Sequence, residues 1–248
     1  MASGRRSSHY TLVDLRNLCI PATPEIKKAL ALILATSIGP DGGINPSKDI
    51  EQSDVCINGM FLNYGCYFGT DEEKLRSVVD FIISQQLADG GFNCRLNRSG
   101  ARHSSMHSTI SVLEGIREYI VAGYAFRAEE LNRIEGEAQE FLLRHRLFKS
   151  DHTGAVIHPS FLKLVYPPRW RYDILRALDY FQSVGYPYDE RLQDALDILK
   201  EKRLSDGRWK TQAHHPGEVH FQMEQAGKPS RWSTLRCLRV LEYYDRDA

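Results

Sequence analysis

The chain has no excess of either charge: 32 Lys and Arg residues face 32 Asp and Glu. Without a net field, neither nucleic acid nor an anionic membrane surface is an expected partner. No apolar run reaches bilayer length, since the longest, Ala29 to Ala35, falls far short of a span. No membrane insertion is expected. The segment MASGRRSSHYTLVDL carries basic residues without an apolar stretch behind them, so no secretory leader is read there. No CxxC pair occurs among Cys19, Cys56, Cys66, Cys94 and Cys237. An odd number of widely spaced cysteines suits a reducing compartment better than a disulfide scaffold, and the cytoplasm is the expected location. Strand-type alternation is nowhere sustained, which excludes an all-β class.

What the chain does contain is a repeat. At 248 residues and 42% hydrophobic content it can bury a full core, and the expected division is an extension over 1–22 followed by one domain over 23–248. Four copies of a helical hairpin can be read. IKKALALILATSIG leads into Asp41-Gly42-Gly43 and then SDVCINGMFLNYG; EEKLRSVVDFIISQQLA leads into Asp89-Gly90-Gly91-Phe92 and then HSSMHSTISVLEGIREYI. A degenerate third copy passes AEELNRIEGEAQEFLLRHRLF, Asp151-His152-Thr153-Gly154 and WRYDILRALDYFQSVG. The fourth passes DERLQDALDILKEKRL, Asp206-Gly207-Arg208-Trp209 and SRWSTLRCLRVLEYY. Apolar residues at three- and four-residue spacing, as in Val78, Phe81 and Ile82 or Leu192, Leu196 and Leu199, predict amphipathic helices. The glycine after each aspartate supplies the left-handed residue that ends a helix. The fold class read from this pattern is all-α.

QQLADGGF, followed by a helix whose first turn is polar, resembles the repeat of the terpenoid cyclase and protein prenyltransferase superfamily, which includes squalene cyclase-like proteins. The resemblance covers most of the chain and implies an α/α toroid whose inner helices line a central pocket. About four hairpins fall short of a full ring, so a short or incomplete toroid is expected, which a second copy in a homodimer could complete.

Aligning the second helices by their apolar pattern sets Asp54, His107, Tyr172 and Trp232 at equivalent positions. Asp54-Val55-Cys56 forms a D-x-C at a helix start, with His107 on the next such helix. In prenyltransferase β subunits the resemblance implies that these ligand types, Asp54, Cys56 and His107, hold one zinc that activates a thiol, with a coordination position left open for catalysis. Asp54 is equally a helix cap, and Cys56 equally a small buried residue. His103 and His107 stand four apart, but no HExxH glutamate accompanies them. No DDxxD motif appears, and Cys56 occupies the place of the proton-donating aspartate of class II cyclases.

The expected function is therefore a prenyltransferase- or cyclase-like enzyme acting on a small-molecule substrate, isoprenoids among them, with zinc as cofactor. Asp54, His107, Tyr172 and Asp173 are the catalytic candidates. Trp170, Arg171, His220, Glu224, Arg231 and Trp232 are substrate-binding candidates, those near 210–230 belonging to a connection read as a lid anchored by Phe221 and Met223. Two alternatives stay open. One is a metal-free cyclase-like or carbohydrate-active enzyme using Asp54, Asp173 and Glu224, and the other is a non-catalytic helical-repeat binding module.

Overall fold

The computed structural model describes residues 8–47, 50–94, 100–212 and 221–245. Among them the chain is helical: α1 (Ser8–Asn17), α2 (Pro24–Thr36), α3 (Val55–Tyr67), α4 (Glu72–Ser84), α5 (Met106–Val121), α6 (Ala128–Arg144), α7 (Ile174–Ser183), α8 (Gln193–Glu201) and α9 (Arg231–Asp245). The only strands among the described residues are β1 (Trp209–Lys210) and β2 (Pro229–Ser230), an antiparallel pair. No described helix is long and apolar enough to cross a membrane. The contacts fall into two compact units, Ser7–Phe141 and Leu142–Ala248, where the sequence reading expected one domain.

The Asp-Gly turns are built alike. In the first, Gly39 N donates to Gly43 O at 2.8 Å; in the second, Leu87 N to Gly91 O at 3.0 Å; in the fourth, Leu204 N to Arg208 O at 2.8 Å. Each closes around a glycine in the left-handed region, Gly42, Gly90 and Gly207, which a residue with a Cβ enters only under strain. The third turn is one residue longer, with Ser150 N donating to Ala155 O and Gly154 N to Ser150 O. That extra residue is why its motif looks degenerate.

The residue after each of the other three turns is pinned to the following helix. Ile44 N donates to Asn58 Oδ1 at 2.6 Å, Phe92 N to Thr109 Oγ1 at 3.0 Å and Trp209 N to Thr234 Oγ1 at 3.0 Å. Ile44, Phe92 and Trp209 are fully buried, so these bonds satisfy amides that water cannot reach. The turn aspartate does a second job. Asp41 accepts from Ser53 N and Ser53 Oγ, both at 2.7 Å, and Asp89 accepts from Ser104 N at 2.8 Å and from the Ser104 hydroxyl. One carboxylate thus ends one helix and fixes where the next begins.

The first unit is organised by α3 and α5, which pack backbone to backbone. A Cβ at Gly59 would lie 2.5 Å from the Ser111 carbonyl oxygen, and one at Gly115 would strike the Gly59 carbonyl. Asn63 Nδ2 donates to Glu114 O at 3.0 Å farther along. Successive contacts rise in number on both helices, so α3 and α5 run the same way and their N-termini share one end.

The segment read as an N-terminal extension contributes α1, which packs on α3. Leu12 and Val13 are buried, Arg16 forms an ion pair with Glu118, and the buried His9 Nδ1 meets the Tyr64 hydroxyl at 2.5 Å. Burial lowers the His9 pKa from 6.5 to about 4. The sign follows: between these values the unfolded chain binds the proton and the folded one does not, so stability contributed by neutral His9 is present above pH 6.5 and is lost as pH falls toward 4. Urea melts of wild type and His9→Gln should therefore diverge on acidification. By pH 5 wild type should have lost about 2 kcal/mol more than the variant, and parallel curves would contradict the buried neutral imidazole.

Candidate functional site

The helix starts correct the alignment of the repeats. The residues at the cap positions are Asp54, Ser105 and Asp173, and in the fourth repeat Ser230 immediately precedes α9. Cys56 and His107 are both second residues of their helices, as are Leu175 and Trp232. The apolar pattern alone had set Asp54 against His107, out of step by two.

At the shared end of α3 and α5 the structure brings Cys94 to Cys56 and Ser108 with Asp54 nearby, and His107 is the second residue of α5. Asp54 is half-buried and caps α3 from extended backbone, but its side chain makes no capping hydrogen bond. Cys94 sits two residues beyond the buried Phe92. Its sulfur accepts from Cys56 N at 3.2 Å and from Ser108 Oγ at 3.3 Å, while Cys94 N donates to Ser108 Oγ at 3.1 Å. The Cys56 thiol lies beside the Cys94 sulfur. The nearness of Cys94 pushes the Cys56 thiol up, with burial adding to the effect, and the same pairing pulls Cys94 down, helped by Ser108 and opposed by burial.

This arrangement is not the ligand set implied by the prenyltransferase resemblance. Among the described residues no group of at least three His, Cys, Asp or Glu side chains is placed to hold a metal ion, and the Cys56 amide donates to Cys94. Asp54, Cys56 and His107 therefore do not stand as a preformed three-ligand group among the described residues. His103 is exposed and precedes α5, which starts at Met106, so it does not share a helix face with His107.

The remaining candidates lie in the second unit. Tyr172 is buried and its hydroxyl donates to Leu147 O at 2.5 Å, tying the longer third turn to the start of α7. Asp173 is buried and caps α7, accepting from Arg176 N at 2.9 Å. Burial pushes its carboxyl up, and the charges of Arg236 and Arg176 oppose that shift. Both groups serve the framework in this position. The Arg171 guanidinium lies 4.9 Å from the centre of the Trp170 ring. Half-buried Trp232 stacks on Tyr166, with ring centres 5.2 Å apart at 16°.

Glu224, read as substrate-binding, is instead a structural clamp. It accepts from the Ser230 hydroxyl and from Arg231 N at 2.7 Å, the task Asp41 and Asp89 perform in the first two repeats. Asp206 keeps only the turn, accepting from Arg208 N at 3.0 Å. Arg231 contributes its backbone to this clamp and its side chain is exposed. Of the lid anchors, Met223 is half-buried, but Phe221 is 67% exposed. His220 lies outside the described residues.

Sequence reasoning missed Cys94 and Ser108. Cys94 follows a turn in a stretch without periodicity, and the one available signal was its place just past DGGF, facing the helix that carries Cys56.

No protein-family profile and no curated protein matches the chain. Solved structures do. A glycosyl hydrolase of family 88 from Bacteroides vulgatus aligns at a TM-score of 0.53 and 11% identity, over 97% of this chain and 73% of that one. A polysaccharide lyase aligns at 0.52 and 14% identity, over 95% of this chain and 71% of that one. At such identities the likeness speaks for the fold alone: the chain has an all-α fold of the α/α-toroid class.

Proposed function

We propose that this protein is a carbohydrate-active enzyme that cleaves a glycosidic linkage at the shared N-terminal end of α3 and α5, with Asp54 and His107 as the proton-transferring groups. The observation that carries the reading is the placing of a carboxylate and an imidazole at the starts of two helices packed on each other, Asp54 at the cap position of α3 and His107 in the first turn of α5. The likeness to a glycosyl hydrolase and a polysaccharide lyase supports the substrate class, although a scaffold of this kind hosts many chemistries and the residues must decide. Hydrolysis and elimination both require one group to protonate the leaving oxygen and another to take a proton, from water or from carbon. A carboxylate and an imidazole on two parallel helices meet that requirement.

The test is a panel of neutral and uronic-acid oligosaccharides, read by new reducing ends and by the ultraviolet absorbance of an unsaturated uronate. Cleavage is expected, and Asp54→Asn should lower kcat by about a hundredfold or more. Asparagine caps helices as well as aspartate, so the variant should melt with wild type. Absence of cleavage across the panel, or full activity in Asp54→Asn, would overturn the reading.

A second reading, an isoprenoid-type enzyme holding zinc at Asp54, Cys56 and His107, is favoured only by the presence of all three residues at the starts of two helices that pack together. Elemental analysis separates the two. Stoichiometric zinc that disappears in Cys56→Ala would replace the carbohydrate reading.

A further inference from the structure

The five cysteines fall into distinct environments. Cys66 and Cys237 are buried, and burial raises both thiols. Cys19 is exposed. Cys56 and Cys94, half-buried, are brought together by the fold from opposite sides of α4. The Cys94 sulfur receives the Cys56 amide of the first turn of α3 at 3.2 Å and the Ser108 hydroxyl at 3.3 Å. Donors converging on one sulfur stabilise negative charge there, and the amide in the first turn of a helix adds its dipole.

We propose that Cys94 and Cys56 form a redox couple, in which Cys94 reduces a hydroperoxide and Cys56 resolves the product as a disulfide. The Cys94 sulfur attacks the peroxide oxygen, the O–O bond breaks, and the leaving oxygen departs as water or alcohol once protonated, leaving a sulfenic acid on Cys94. The Cys56 sulfur then attacks the Cys94 sulfur, the S–O bond breaks, and water leaves with the Cys56 proton. Two thiols are oxidised by two electrons and one hydroperoxide is reduced. A thiol on the residue whose amide already donates to the partner sulfur, at 3.2 Å, needs little motion to make the second step, which intercepts the sulfenic acid before further oxidation. The new bond would tie the segment after the second turn to the first turn of α3, beside Asp54. The inference does not depend on the carbohydrate reading.

The experiment treats the intact chain with one equivalent of hydrogen peroxide, blocks free thiols with N-ethylmaleimide, and maps non-reduced peptides by mass spectrometry. The expected result is an intact mass lower by two hydrogens and a Cys56–Cys94 crosslink reversed by dithiothreitol. Cys56→Ser should stop at a Cys94 sulfenic acid captured by dimedone, with labelling about tenfold above that of exposed Cys19. Cys94→Ser should show no crosslink. The wild-type map decides the matter even if a variant fails to fold. Oxidation at Cys19 ahead of Cys94, or conversion of Cys94 to sulfinic acid without a crosslink, would overturn the proposal.

Discussion

Gly59→Ala should destabilise the first unit by about 3 kcal/mol or more, near the upper end of overpacking costs. The added methyl would lie 2.5 Å from the Ser111 oxygen, 2.6 Å from its carbonyl carbon and 2.7 Å from Val112 Cα. All three are backbone atoms within α5, so no side chain can rotate away and the two helices must separate. Separation would loosen the contacts that follow from Gly59 toward Asn63 and Glu114. The control is Gly136, exposed on α6 with open space around it. There an alanine should stabilise by roughly 0.5–1 kcal/mol through helix propensity. Denaturant unfolding of both variants gives the comparison, and equal midpoints would show that α3 and α5 are not in backbone contact.

Trp209→Ala should cost about 4 kcal/mol, the usual range for emptying a large buried aromatic site. Trp209 is fully buried, its indole N–H donates to Leu199 O at 2.7 Å, and the Arg203 guanidinium lies over its ring. Leu199 stands in the last turn of α8, where carbonyls have no partner in the helix itself. The indole therefore fills core volume and ends a helix at once. Trp209→Phe should recover most of the packing and still fall short of wild type by about 1–2 kcal/mol, the cost of the unmet carbonyl. Thermal melts of the three proteins test this order, and a phenylalanine variant as stable as wild type would refute the role given to the indole N–H.

The helices and the Asp-Gly turns were legible in the sequence because each rests on local chemistry: three- and four-residue apolar spacing, and a glycine where a left-handed residue is required. The repeat register was less so. Apolar pattern fixes which face of a helix is buried but leaves its start free by a residue or two, and the start is set by polar groups, Ser53 held by Asp41 and Ser104 held by Asp89. The pairing of Cys94 with Cys56 joins residues on either side of α4, and no local rule reports such a contact. Glu224 was misread for a related reason. A carboxylate in a long connection looks available to a ligand until the serine it holds, Ser230, is seen beside it. Asp54 was legible as a cap, and it stands at the cap position of α3.

The position of Glu224 has a consequence for how this scaffold tolerates change in length. In the first two repeats the carboxylate that starts the inner helix sits in the turn itself, so any residue added between them must be absorbed before Ser53 or Ser104. In the fourth, that duty has passed to a residue six positions before Ser230, while Thr211 N donates to Lys228 O and Gly227 N to Thr211 O across the base of the connection. The start of α9 is thus set from its own side. Because that start depends on Glu224 and not on Asp206, a change in the number of residues between Gln212 and Phe221 should leave α9 in register, so sequence drift, an inserted epitope or a grafted peptide there should leave the helix where it is.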